Sequence, residues 1–296
     1  MIVTVTLNPS LDRTLAVSQL ARGEVIRADS TIEDPGGKGV NVTRFLTTRG
    51  SDSVAVLPVG GPIGRGLVGL LDEAGIPYRS IPIHGRTRAN VAVVEPDGTT
   101  TKLNEPGPEL AAAEVDALVD AVAELVSADG WVVVAGSLPS DPDTSVLNRL
   151  ADVARAAGAR FALDASGAAL ADGLSAGPDL IKPNDEELGE ILGRELTTLE
   201  EVLAGCDEAR ARGAGTVICS LGAKGAVLVD DHGRWSATGA KVPVLSTVGA
   251  GDSLLAGFLH GGGSGPEALR VGIAWATAAV QTPGTGVPAA ELINPD

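Results

Sequence analysis

The stretch STVGAGDS, residues 246–253, sets Asp252 directly behind a glycine-rich turn. Leu254, Leu255, Phe258 and Leu259 follow it at helical spacing. The start of a helix leaves several N–H groups without partners, so an acid there has two readings. As an N-cap it satisfies those donors. As a general base it takes a proton, while the N–H groups receive negative charge arriving on a substrate. A helix N-terminus favours the carboxylate form, which predicts a lowered pKa and a weak base for Asp252. The chain has no G-x-S-x-G elbow, and His84, His232 and His260 lie apart without metal or triad spacing. Base work therefore falls to a carboxylate rather than to a hydrolase triad.

Other polar motifs fall where apolar runs end. TLNPSLD brings Asn8, Ser10 and Asp12, and DPGGKGVN (34–41) is a glycine-rich entry to a helix with Lys38 as a point charge. GSLP (136–139), DASG (164–167), KPN (182–184) and SLGAKG (220–225) complete the set. Any one is an ordinary turn. Together they mark the carboxyl edge of a sheet, where open α/β folds bind ligands. DPGGKGVN is not a Walker A loop, because Ile32 stands at the first glycine position and Gly39 replaces the hydroxyl residue. GGPIGRG (60–66) likewise fails the dinucleotide spacing, which disfavours an oxidoreductase. GRTR (85–88) offers two guanidinium groups as a phosphate clamp.

The elements that must position these residues alternate. Strands are expected at 1–7, 53–59, 131–135, 160–164, 179–182 and 215–220. Helices are expected near 40–49, 64–74, 109–127, 144–157, 184–192, 199–212, 251–261 and 266–281. Strands this continuously apolar are buried on both faces, which implies a mostly parallel sheet between helices. Two segments break the rhythm. Residues 14–33 read as short strands with no helix between them, and 88–104 as a hairpin around Pro96-Asp97-Gly98. They predict a small antiparallel sheet beside the large one, with an apolar face that needs cover.

The chain has 296 residues, enough for a full core, and 44% of them are hydrophobic. A net charge of −16 argues against a nucleic-acid binder and requires locally placed Lys and Arg for any phosphorylated ligand. No run approaches a membrane span, and MIVTVTLNP has no basic leader region. Cys206 and Cys219 show no metal or redox spacing, which suits a reducing compartment. A cytoplasmic protein is expected.

Taken together, these residues resemble the PfkB carbohydrate-kinase family of the ribokinase-like fold, over essentially the whole chain. STVGAGDS is similar to the family's most specific signature and GGKGVNVTRFL to its N-terminal one. TLNPSLD, TRAN, LNEPGPEL, GSLP, DASG, KPNDEEL and SLGAKGA fall in the family's order. The resemblance is strongest to the phosphosugar branch, and Lys38 stands where some fructose 6-phosphate kinases of that branch carry glycine. It implies a single kinase domain over 1–296, three-layer α/β/α with a mostly parallel central sheet. It also implies a small antiparallel β lid from segments about 12–35 and 86–105.

By the same resemblance Asp252 is the catalytic base, and Gly249, Ala250 and Gly251 form the anion hole. Asp12, Gly37, Lys38, Asn41, Arg88 and Ser137 surround the phosphosugar, with Lys182, Asn184, Ser220 and Gly222 on the nucleotide side. Asn184 and Glu187 match an Asn-x-x-Glu pair associated with Mg²⁺ through water. ATP and Mg²⁺ are implied, with homodimer formation through the lids as the assembly the resemblance allows. The implied reaction converts fructose 1-phosphate to fructose 1,6-bisphosphate, with tagatose 6-phosphate and fructose 6-phosphate as alternative acceptors. A sensor that binds a sugar phosphate without turnover is the reading from another class, although it would not need Asp252 and an intact glycine turn.

Overall fold

Near-continuous apolar runs such as WVVVA form strands whose successive side chains enter cores on opposite faces of one sheet. The computed structural model describes residues 1–139, 144–282, 284 and 286–293. Its strands are β1 (Ile2–Val5), β2 (Ser10–Ala16), β3 (Ser30–Gly36), β4 (Ser53–Val59), β5 (Tyr78–Pro82), β6 (Arg88–Val94) and β7 (Thr100–Asn104). They continue as β8 (Trp131–Ala135), β9 (Arg160–Asp164), β10 (Leu180–Ile181), β11 (Thr216–Ser220), β12 (Ala226–Asp230) and β13 (Gly233–Ala237). The helices are α1 (Lys38–Thr48), α2 (Gly61–Glu73), α3 (Ala112–Leu125), α4 (Ser145–Ala157) and α5 (Gly167–Gly173). The rest are α6 (Asp185–Leu192), α7 (Leu199–Ala211), α8 (Ala250–His260) and α9 (Gly265–Ala279). Among the described residues no helix is long and apolar enough to cross a membrane.

Nine strands form the large sheet in the order β13-β12-β11-β10-β9-β8-β1-β4-β5. It is parallel from β5 to β11 and antiparallel across β11-β12-β13. Val132 and Val134 of β8 pack with Leu118 and Val122 of α3 and Leu147 and Leu150 of α4. Val133 and Ala135, pointing the other way, pack with Leu255 and Phe258 of α8 and Phe45 of α1. The sheet is thus enclosed by α3–α7 on one face and by α1, α2, α8 and α9 on the other. The strand order reverses between β1 and β8, and that reversal opens a crevice at the carboxyl ends of the strands.

The small sheet has the order β3-β2-β6-β7. Its outer pairs are antiparallel, and its central pair, β2 with β6, is parallel. The β6–β7 turn closes as the Pro-Asp-Gly sequence requires: Gly98 has φ +87°, and its N–H donates to Glu95 O at 2.9 Å. β3 begins only at Ser30, so the apolar alternation of 24–29 forms no strand. β5, the β12–β13 hairpin and α5 lie outside the sequence expectation. β5 is an edge strand ending in proline, and α5 is a short run bounded by glycines.

With so few aromatic residues, the core rests on close approach of small ones. A Cβ on Gly257 of α8 would lie 2.8 Å from Trp275 Cγ and 2.9 Å from Gly272 Cα of α9. One on Gly272 would lie 2.7 Å from Leu254 O. Gly272→Val should therefore force α9 off α8 and lower stability by about 2 kcal/mol, in the range of overpacked cores. Urea unfolding checks this: the midpoint falls at unchanged slope, and an unshifted midpoint would refute the close helix contact.

Candidate active site

α8 begins at Gly249, whose φ of +78° places it in the left-handed region. Gly249 is therefore the N-cap, and Asp252 is the third residue of the first turn. Helix geometry leaves the N–H groups of Ala250, Gly251 and Asp252 without intrahelical acceptors. The N-cap reading of Asp252 fails, and its carboxylate turns instead to α1, where Asn41 Nδ2 donates to Oδ2 at 2.8 Å. Asp252 is buried, but against polar groups rather than the apolar core.

α1 starts in the glycine loop because close approach is required there. Gly37 has φ +126°, and a Cβ on it would lie 2.6 Å from Thr6 Cγ2, just beyond β1. On α1, Lys38 and Asn41 stand one turn apart on one side. Lys38 Nζ donates to Asp164 Oδ1 at 3.0 Å, and Lys182 Nζ lies 3.2 Å from Asp164 Oδ2. Asp164 ends β9 and is fully buried, and Lys182 follows β10. A Cβ on Gly251 would lie 3.3 Å from Lys182 Nζ, so that ammonium reaches the turn that begins α8. Lys182, expected on the nucleotide side, is thus placed beside the turn that begins α8.

These charges set one another's ionisation. Burial alone would raise the pKa of Asp164, but Lys182 and Lys38 together hold it below the ordinary carboxylate value. Asp164 in turn raises that of Lys38 against the opposing effect of burial. Burial, then repulsion from Asp164, pushes Asp252 up to about 6, while Asn41, Lys38 and Lys182 act in the other direction. The lowered pKa expected from the helix terminus is thus corrected. Desolvation outweighs the terminus, and the acid becomes a better base.

The second half of the site comes from the lid strands. The parallel register sets Ser10 opposite Arg88 and Asp12 opposite Asn90. Ser10 Oγ donates to Asp12 Oδ1 at 2.6 Å, and Asn90 Nδ2 donates to the same oxygen at 2.9 Å. Gly36 of β3 leaves room for this group, since a Cβ there would collide with Asp12 and Ser10. Arg88 Nη2 donates to Asn8 O at 3.1 Å and to Ser137 Oγ at 3.3 Å, and Nη1 to Glu105 O at 2.9 Å. Burial pulls its pKa down, partly offset by Asp12 and Glu105. Buried Asn8 ties the crevice together, donating to Pro106 O at 2.9 Å and Leu138 O at 3.2 Å.

Asn184, Glu187, Ser220 and Gly222 form the other wall. Asn184 N donates to Glu187 Oε2 at 2.9 Å, and Glu187 N to Asn184 Oδ1 at 2.6 Å, a capping box that fixes the start of α6. An isolated bridge joins Asn184 to Ser220 at the end of β11. Gly222, with φ +56°, faces open space. Sequence reasoning did not assign Asp164, Asn90 or Arg44 to the site. DASG and TRAN signalled the first two, and the one-turn spacing from Asn41 signalled the third.

Over residues 5–292 the chain matches the family described as pfkB family carbohydrate kinase. It is 39% identical to the 1-phosphofructokinase of Rhodobacter capsulatus, over 99% of this chain and 94% of that protein. It is 37% identical to the ATP-dependent 6-phosphofructokinase isozyme 2 of Mycobacterium tuberculosis, over 96% of this chain and 85% of that one. The crystal structure of phosphofructokinase-2 from Escherichia coli in complex with potassium superposes with a TM-score of 0.92 at 33% identity, covering 99% of this chain and 96% of that one.

Carboxyl ¹³C shifts followed against pH should find Asp252 ionising near pH 6. A midpoint at or below about 4, the ordinary value, would overturn the account of burial and Asp164 repulsion.

Proposed function

The chain belongs to the pfkB family of carbohydrate kinases and is on that ground a phosphotransferase of ribokinase-like fold; from this premise we propose that it transfers the γ-phosphoryl group of ATP to the C6 hydroxyl of fructose 1-phosphate. The observation that carries the reading is the Asp252 carboxylate, aligned by Asn41 at a helix tip with Lys182 beside the turn.

Asp252 accepts the hydroxyl proton, and the turn of Gly249, Ala250 and Gly251, in which the N–H groups of Ala250 and Gly251 have no intrahelical acceptor, receives the migrating phosphoryl group. Its transition state is loose, so position and charge do most of the work. A base with a raised pKa is the stronger acceptor, and a positioned base contributes about 10²–10⁴ in rate. Arg88, with Ser137 beside it, and Lys38 grip the phosphate already on the sugar. Asp12, held by Ser10 and Asn90, meets the sugar hydroxyls along with Asn41, and Gly37 lets the backbone approach. Lys182, Asn184, Ser220 and Gly222 line the ATP side. The β3-β2-β6-β7 sheet closes over the sugar and excludes water, so that ATP is not hydrolysed.

The capping box uses Oε2 of Glu187 and leaves Oε1 outside it. Among the described residues no cluster of three or more acidic, His or Cys side chains could hold a metal alone. Mg²⁺ retains several waters and binds through one or two carboxylates together with substrate phosphates, so Glu187 with Asn184 fits it through water. Bound there, it would neutralise phosphate charge.

The relative named for 1-phosphofructokinase supports the choice of acceptor, as does Lys38. The relative named for 6-phosphofructokinase keeps fructose 6-phosphate as the alternative. Ile32, 57% exposed on an edge strand of the lid and on the face that carries Asp12, supports a homodimer in which a second copy covers that face. Sedimentation equilibrium should find a dimer that Ile32→Lys dissociates, and a monomeric wild-type chain would remove this assembly.

ADP release with fructose 1-phosphate, fructose 6-phosphate and tagatose 6-phosphate should show the highest kcat/KM for the first. Asp252→Asn should lower kcat by at least ~10². Preference for another sugar would overturn the substrate, and tight sugar-phosphate binding with no ADP formed would turn the reading to a sensor.

A further inference from the structure

Arg44 stands one turn beyond Asn41 on α1 and is half-buried. Its Nη2 donates to Asn41 Oδ1 at 2.9 Å, while Asn41 Nδ2 donates to Asp252 Oδ2 at 2.8 Å. The two contacts use opposite ends of one amide. An amide turned through a half-circle occupies the same volume with donor and acceptor exchanged. Turned, Asn41 would set Oδ1 against the carboxylate, and two acceptors in contact favour the protonated acid. Asn41 is only 7% exposed, so bulk water is a poor substitute partner for either end of the amide. A guanidinium has only donors, so Arg44 can satisfy Oδ1 and never the amide nitrogen. It therefore selects one orientation of Asn41.

We propose that Arg44 is a positioning residue for the base: by donating to Asn41 Oδ1 it fixes the amide with Nδ2 toward Asp252, which keeps that carboxylate ionised and aimed. The inference rests on the reading of Asp252 as base. The charged groups around Asp252 are Lys38 and Arg44 on α1, Lys182 after β10 and Asp164 on β9; the lysines and the guanidinium favour the carboxylate and Asp164 opposes it. Arg44 feels Asp34, Asp252 and Asp12, in that order, and it stays protonated although burial pulls its pKa down; a double-mutant cycle separates its direct charge on Asp252 from its route through Asn41. Orientation of one amide is thus weighted against several charges close to balance.

The test is a double-mutant cycle on the ligand-free protein, read as the ¹³C titration midpoint of Asp252. Arg44→Met should raise that midpoint by about one unit, and Arg44→Lys should restore it. In an Asn41→Ala background Arg44→Met should add less than about a third of a unit, because its route to the base is gone. An unchanged midpoint in Arg44→Met overturns the proposal. So does a shift of equal size in the Asn41→Ala background, which would make Arg44 a direct charge on Asp252. If Arg44→Met does not fold by thermal melt, Arg44→Gln, which keeps a donor but no charge, should hold the wild-type midpoint, and a one-unit rise there is equally fatal. In turnover, the acid limb of kcat/KM should move up with the midpoint and the rate recover at high pH. A merely structural role would lower the rate at every pH. Because the titration needs no turnover, a wild-type protein inactive on every sugar phosphate would sink the kinase reading and leave this measurement intact.

Discussion

A carboxylate with no access to water, Asp164, holds two ammonium groups at 3.0 and 3.2 Å, and the charge of the whole crevice is organised around it. A buried carboxylate alone would cost several kcal/mol, and two buried or half-buried lysines would be as unstable without it. With Asp252 ionised the four groups sum to zero. In the proposed reaction, taking the hydroxyl proton leaves the cluster one positive charge richer as the migrating phosphoryl group reaches the turn. The same repulsion that raises the pKa of Asp252 thus favours proton uptake at the moment when positive charge is useful. Lys38 and Lys182 reach Asp164 from α1 and from the end of β10, so one side chain sets the charge of both.

Holding that cluster in register depends on backbones that touch. Gly257 and Gly272 let α8 and α9 meet, and Gly36 and Gly37 let the glycine loop lie against Asp12 and Thr6. The helix that carries Asp252 is buried along nearly its whole length, and α1, which carries Lys38, Asn41 and Arg44, packs beside it. Small residues in place of aromatics are therefore part of how the site is aimed, since each removes a side chain that would separate two functional elements.

Much of this was legible in the sequence. β4, β8, β9 and β11, and most helices, fall where apolar periodicity put them, because strands buried on two faces and amphipathic helices write their environment into local pattern. β12 and β13 escaped because AVLVD sits against the SLGAKG turn and was absorbed into that motif. The residues that escaped share another cause. Asn90 matters because strand pairing sets it opposite Asp12, Asp164 because two distant lysines converge on it, and Arg44 because of what its neighbour Asn41 touches. The pairings of Asn90 and Asp164, and the reach of Asn41 to Asp252, have no local signature. The shift of Asp252 was misjudged for the same reason, since helix position is visible in sequence and desolvation is not.

The parallel pairing of β2 with β6 has a consequence for how the molecule is made. No hairpin can zip these strands together, because β3, α1, β4, α2 and β5 intervene between them. Closing so long a loop loses chain entropy before any contact repays it, so this pairing waits until the intervening units have docked on β1. A nascent chain can hence set Arg88 and Asn90 opposite Ser10 and Asp12 only after synthesis has passed residue 94. Until then the cell holds a polypeptide with exposed, unpaired strand edges, the kind of surface on which chaperones act.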